Sequence, residues 1–187
     1  MMPLTILVKE HKAILRMIKI MGKIVKAMRE SRSADPKLIA AVLDFIRTYV
    51  DRCHHGKEEG ILFKALAGKR LYPGHKKIMF DLIRKHKMGR ANVRRLDAAQ
   101  RKYFNGKKDA LKDIITNMET LARFYPLHIM KEDKVFFPIS MGYLSGKEQR
   151  AMPGSMLKFD ADMIHDKYAG VVLSAAKSIS EVYSCAR

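Results

Sequence analysis

His54-His-Gly-Lys-Glu58-Glu-Gly-Ile-Leu-Phe63 and His128-Ile-Met-Lys-Glu132-Asp-Lys-Val-Phe-Phe137 decide how this chain is read. Each stretch sets a His and a Glu four residues apart and follows them with apolar residues ending in Phe. Positions i and i+4 lie on one face of a helix, one turn apart, so both side chains of either stretch can grip the same metal centre. Two more histidines extend the pattern outward. His11 precedes His54 by 43 residues and His86 precedes His128 by 42, and Leu7-Val-Lys-Glu-His11 echoes Leu82-Ile-Arg-Lys-His86. A unit of "His, then His-x-x-x-Glu" therefore occurs twice, as two helical hairpins facing each other across a metal site.

The apolar periodicity around these residues is helical throughout. It predicts helices over about 3–30, 36–67, 75–104 and 107–137. Asp35-Pro36 reads as an N-cap followed by proline at the first helical position, Asn105-Gly106 as a stop, and Pro138 as the close of the fourth helix. Pro126, two residues before His128, implies a kink. Short connections favour antiparallel neighbours, hence an all-α, up-down-up-down four-helix bundle over residues 1–140. The extension over 141–187 reads as a short helical piece near 145–152, a Pro153-Gly154 break, and a last helix over about 156–184 packed on the bundle.

Composition bounds the function. The chain has 187 residues, 48 % of them hydrophobic, enough for one sizeable core. No apolar run approaches the roughly 18–20 residues of a membrane span, and charged residues come too early for a signal-peptide core. Cys53 and Cys185 form no disulfide framework, which makes a reducing, cytoplasmic setting the expectation. The net charge of +18 is spread along the whole chain without aromatic-interleaved basic tracts, so it reads as solvated surface rather than a specific nucleic-acid site.

His11, His54, His86 and His128 each sit on the apolar stripe of a different predicted helix. Burying Glu58 and Glu132 among them without cations would cost several kcal/mol each. A pair of divalent ions removes that cost, since two carboxylates and one bridging oxo or hydroxo group nearly balance their charge. Imidazole plus carboxylate suits iron, with zinc or manganese as substitutes. His55 has Asp51 at i−4 and reads as surface, His75 as an exposed helix start, and Glu59 and Asp133, beside the ligands, as solvated carboxylates or else as groups that support the ligands from behind. His165, on the last helix, reads either as a boundary histidine or as a fifth imidazole laid onto one metal.

With a lone His on helices one and three and His-x-x-x-Glu on two and four, residues 5–140 resemble the hemerythrin and HHE cation-binding family. The resemblance implies a non-haem di-iron site, with Glu58 and Glu132 as bridges and His11, His54, His86 and His128 as terminal ligands. Oxygen-carrying members have a fifth histidine one turn from that of the third helix. Here Leu82 and Arg90 hold those places, leaving His165 as the candidate for the fifth nitrogen.

The function expected is binding of O2 or a related diatomic ligand for storage, delivery or sensing, rather than an enzymatic one. The alternatives are a di-iron redox enzyme or iron-handling protein, and a basic helical binding module without metal. A ferritin-like oxidase would need Glu-x-x-His, which is absent.

Overall fold

The computed structural model describes residues 4–161, and these are all-helical, without strands. Helix α1 is Thr5–Ser31; Arg32, in the left-handed region at φ 52°, ends it. Helix α2 covers 36–67 without interruption, although its backbone changes pitch along the way. It is α-helical over Pro36–Asp44, π-helical over Phe45–His55 and Glu58–Phe63, and α-helical again over Lys64–Ala67. Its start follows the sequence closely. The Asp35 carboxylate accepts from the Lys37 and Leu38 amides at 2.7 and 3.3 Å, and Pro36 occupies the position that needs no donor.

Helix α3 is Pro73–Phe104. Gly106 lies past its end at φ 96°, a conformation only glycine adopts without strain. Helix α4 covers 111–141, after a 3-10 turn at Lys108–Ala110, and is π-helical over Glu132–Phe136. Pro126 lies inside its α-helical part.

Two expectations about proline are corrected. Pro138 does not close α4, which runs on to Met141. The preceding π turns have already displaced the hydrogen-bond ladder, so Pro138 falls at the start of a new α-helical register, where its missing N–H costs little. Pro153-Gly154 does not break the chain either, because a single helix α5, Gly146–Ala161, passes through both. The helix starts on a capping box, with the Ser145 amide donating to Glu148 Oε2 at 2.7 Å and the Glu148 amide donating to Ser145 Oγ at 3.3 Å. Met152 and Met156, on either side of Pro153, are buried in the same apolar cluster, and that burial holds the helix together across the lost hydrogen bond. Only residues up to 161 of the predicted last helix are described.

The core comes in two apolar layers. One contains Ile14, Met21, Met28, Ile39, Ile46, Val93, Leu96, Met118 and Leu121; the other contains Leu7, Leu62, Leu66, Met79, Leu82, Phe136 and Met156. Along α1 the chain passes from the second layer to the first, along α2 from first to second, and α3 and α4 repeat the alternation. α1 packs against α2 and α4, and α3 also packs against α2 and α4. Every one of the four helices crosses from one layer to the other at a histidine, so the layers enclose a polar stratum between them.

Candidate metal centre

That stratum holds His11 of α1, His54, His55 and Glu58 of α2, His86 of α3, and His128 and Glu132 of α4, all buried. The π-helical segments fall on α2 and α4, the two helices that supply a His-x-x-x-Glu pair. A π turn takes an extra residue, so each step rotates less than the roughly 100° of an α-helix, and neighbouring residues can share a face. Cys53, His54 and His55 are consecutive and all buried, as this geometry allows.

Four of the imidazoles are held from behind by carboxylates. Nδ1 of His11 lies 2.8 Å from Asp133 Oδ1, and Nδ1 of His54 lies 2.9 Å from Glu10 Oε2. Nδ1 of His86 is 2.7 Å from Glu59 Oε1, and Nδ1 of His55 is 3.3 Å from Asp51 Oδ1. A carboxylate only accepts, so each Nδ1 carries the proton and each neutral ring turns its Nε2 lone pair inward.

What those lone pairs meet is more acceptors. His11 Nε2 lies 2.9 Å from His54 Nε2. Glu58 directs Oε1 toward His54 Nε2 at 3.5 Å and Oε2 toward His86 Nε2 at 3.4 Å. Glu132 directs Oε2 toward His11 at 3.5 Å and Oε1 toward His86 at 3.5 Å and His128 at 3.0 Å. Both oxygens of Glu58, Oε2 of Glu132 and both nitrogens of His128 are buried without a hydrogen-bond partner among the described residues. A buried convergence of acceptors is an arrangement that a cation could complete.

The donors fall into two sets compatible with metal binding, His11/His54/Glu58/Glu132 and His55/His86/His128. Each glutamate divides its oxygens between the two sets.

His55 overturns the surface reading. It is 3 % exposed and stacks on His86 with ring centroids 3.9 Å apart. Asp51 one turn earlier, taken as a sign of polar surroundings, is the carboxylate that holds the ring inward, and Arg90 Nη1 holds Asp51 in turn at 2.6 Å. Glu59 and Asp133, both half-buried, likewise hold histidines, and Arg90 Nη2 donates to Glu59 at 3.0 Å. His75 sits near the start of α3, half-buried, with Nδ1 2.7 Å from the Tyr143 hydroxyl. His165 lies outside the described residues. Missed at the sequence level were Glu10 beside His11, Arg90 one turn after His86, and Lys57 between the α2 ligands, although each is within four residues of a recognised histidine.

Electrostatics reflect the crowding of buried carboxylates and imidazoles in one stratum. Burial alone would lower the His11 pKa, but the hydrogen bonds to Asp133 and Glu132 outweigh it and lift the value to about 9. Metal-free, a proton on His11 thus stands where a cation would. Burial pushes Glu58 well above the carboxylate range, helped by the Glu132 charge. Burial would also raise Glu132, yet the facing His128, His11 and His86 hold it well below. Burial keeps His54 and His55 neutral.

The model of the hemerythrin HHE cation-binding domain matches residues 2–140. The chain belongs to that family. No curated protein and no solved structure matches the chain. An HHE domain binds metal cations, and the acceptor-only stratum fits that property in donor type and in charge. The match stops before α5, yet α5 reaches the HHE centre: the Asp160 carboxylate pairs with the Lys57 ammonium, which also pairs with Glu10, the partner of His54. No helix among the described residues is long and apolar enough to cross a membrane.

Proposed function

We propose that this chain is a non-haem di-iron protein that binds O2 or a related small diatomic ligand, for storage, delivery or sensing. His11 and His54 would terminate one iron and His55, His86 and His128 the other, with Glu58 and Glu132 bridging. The observation that carries the reading is the convergence of imidazole Nε2 atoms on the buried carboxylate oxygens of Glu58 and Glu132. When bound, the metal pair supplies reversible one-electron chemistry and open positions for a small ligand. His11 and His54 would give one ion two imidazoles where His55, His86 and His128 would give the other three, so an open position for a small ligand would lie on the two-histidine side.

The chain's own residues prepare that side. Asp133 and Glu10 fix the tautomers of His11 and His54, and Phe137 stacks on the His11 ring at 5.6 Å. A pocket of about 470 Å³ reaches Asp133 and Phe137, lined by Leu4, Val8 and Met141 together with Lys9 and Lys12. Its largely apolar wall suits a neutral diatomic ligand. The alternation of the helices between the two core layers supports an up-down-up-down bundle over 1–140, with α5 as a further helix packed on it.

The test is metal content and absorption spectrum after anaerobic iron loading and exposure to O2. About two irons per chain with bands that bleach when O2 is removed is the expected result. Two irons with irreversible bands would favour a redox or iron-handling role. Protein without metal would leave only the basic helical module.

A further inference from the structure

Two residues separate His55 from Glu58, and α5 sits on both. At Gly56 a Cβ would stand 2.8 Å from Phe159 Cζ, so only glycine leaves room for that ring. At Lys57 the ammonium is fully buried and pairs with Asp160 of α5 and Glu10 of α1, with Cys53 Sγ 3.7 Å away. The second His-x-x-x-Glu stretch has Met130 and Lys131 at the corresponding positions. Met130 is 55 % exposed, and among the described residues Lys131 pairs with Asp81, at 4.0 Å. The two halves of the repeat thus differ where α5 docks, as they do at His55, whose counterpart is Ile129. Glu10, Cys53 and Asp160 also have the spacing of a metal site, but the Lys57 ammonium already lies among them as the cation.

We propose that Lys57 is a positioning residue that couples α5 to the metal centre: Asp160 holds Lys57, Lys57 holds Glu10, and Glu10 fixes the His54 imidazole. The inference rests on the di-iron reading and adds that docking of α5 and retention of the iron at His11/His54 are linked. Three consecutive contacts carry the linkage, Asp160 to Lys57, Lys57 to Glu10, and Glu10 Oε2 to His54 Nδ1 at 2.9 Å. Without the Lys57 ammonium Glu10 would still accept from Nδ1, but it would lose the contact through Lys57 that ties it to Asp160 of α5. Such outer partners of a ligating histidine matter roughly 10–100-fold for metal affinity. Linkage is reciprocal, so iron must also tighten α5.

The experiment uses the full chain as wild type, Asp160→Asn, Asp160→Glu and Lys57→Gln, loaded anaerobically with ferrous iron. Iron per chain and its release to a chelator are measured, and alkylation of Cys53 is mapped by peptide mass spectrometry with and without iron. Cys53 is buried beneath α5, so its alkylation reports undocking independently of the metal. The expected result is release of one of the two irons accelerated roughly 10–100-fold in Asp160→Asn and Lys57→Gln, the other unchanged, with recovery in Asp160→Glu. Iron should slow Cys53 alkylation in the wild type and less so in Asp160→Asn. Wild-type release of both irons in the variants, equal acceleration of both, or alkylation indifferent to iron would overturn the coupling while leaving the di-iron reading intact. A wild type that takes up no iron would sink that reading, and the coupling with it.

Discussion

His11 Nε2 and His54 Nε2 face each other at 2.9 Å, and the far nitrogen of each ring is tied to a carboxylate, Asp133 for one and Glu10 for the other. Two neutral rings so held oppose lone pair to lone pair. A cation or a proton held between them relieves that opposition.

Occupancy of the centre should therefore dominate stability. A metal at about 100 times its dissociation constant stabilises the folded state by about 2.7 kcal/mol, on the order of 5–10 °C in midpoint for a chain this size. Calorimetry with iron and then with a chelator reads this shift, and Glu132→Ala should abolish it. Glu58→Gln separates function from stability. A carboxyl whose folded pKa is raised opposes folding above its unfolded value. The variant should lose metal yet be more stable than wild type when both are metal-free at neutral pH.

Protons and metal compete at His11. Its folded pKa of about 9 lies above the ordinary 6.5, so its stabilising contribution is complete below 6.5 and lost as pH rises through about 9. The stability difference between metal-free wild type and His11→Gln should shrink across that window. Metal affinity of the wild type should rise over the same interval, as the displaced proton becomes easier to lose. Denaturant titrations and metal titrations at a series of pH values check the two signs.

Stoichiometry distinguishes the two candidates for a fifth nitrogen. His55 is buried against His86 and belongs to the three-histidine set, so His55→Ala should lower iron from about two per chain toward one. His165→Ala should leave iron content unchanged. Iron analysis of both variants decides it, and the reverse outcome would restore His165 as the ligand.

Two glycines in helices should respond oppositely to alanine. Nothing lies within 4 Å of a Cβ at Gly22, so Gly22→Ala should stabilise by about 0.5–1 kcal/mol through helix propensity alone. Gly56→Ala drives a methyl into Phe159, and its gain in propensity should be cancelled or reversed. Urea midpoints of the two variants, measured in parallel, give the comparison.

Much of the fold is local and was therefore visible in the sequence. The Asp35 cap, the Gly106 stop and the apolar stripes through His11, His54, His86 and His128 depend on neighbours within a turn or two. Pro138 and Pro153 misled because a proline's local cost can be absorbed, at Pro138 by the π turns before it and at Pro153 by burial of the methionines around it. Asp51 misled for a related reason. A polar residue at i−4 has the same appearance in sequence whether it marks solvent or orients a buried imidazole, and only Arg90, 39 positions away, makes it the second.

The sequence by itself determined the helices and the family, and it singled out six of the seven side chains that meet in the buried stratum, because side-chain periodicity and repeat spacing are properties of a single helix. Tertiary structure alone decided that His55 turns inward, that Glu59, Asp133 and Glu10 hold the rings from behind, and that α5 closes over Gly56 and Lys57. Each of these requires atoms from two helices to meet, which the periodicity of a single helix does not encode.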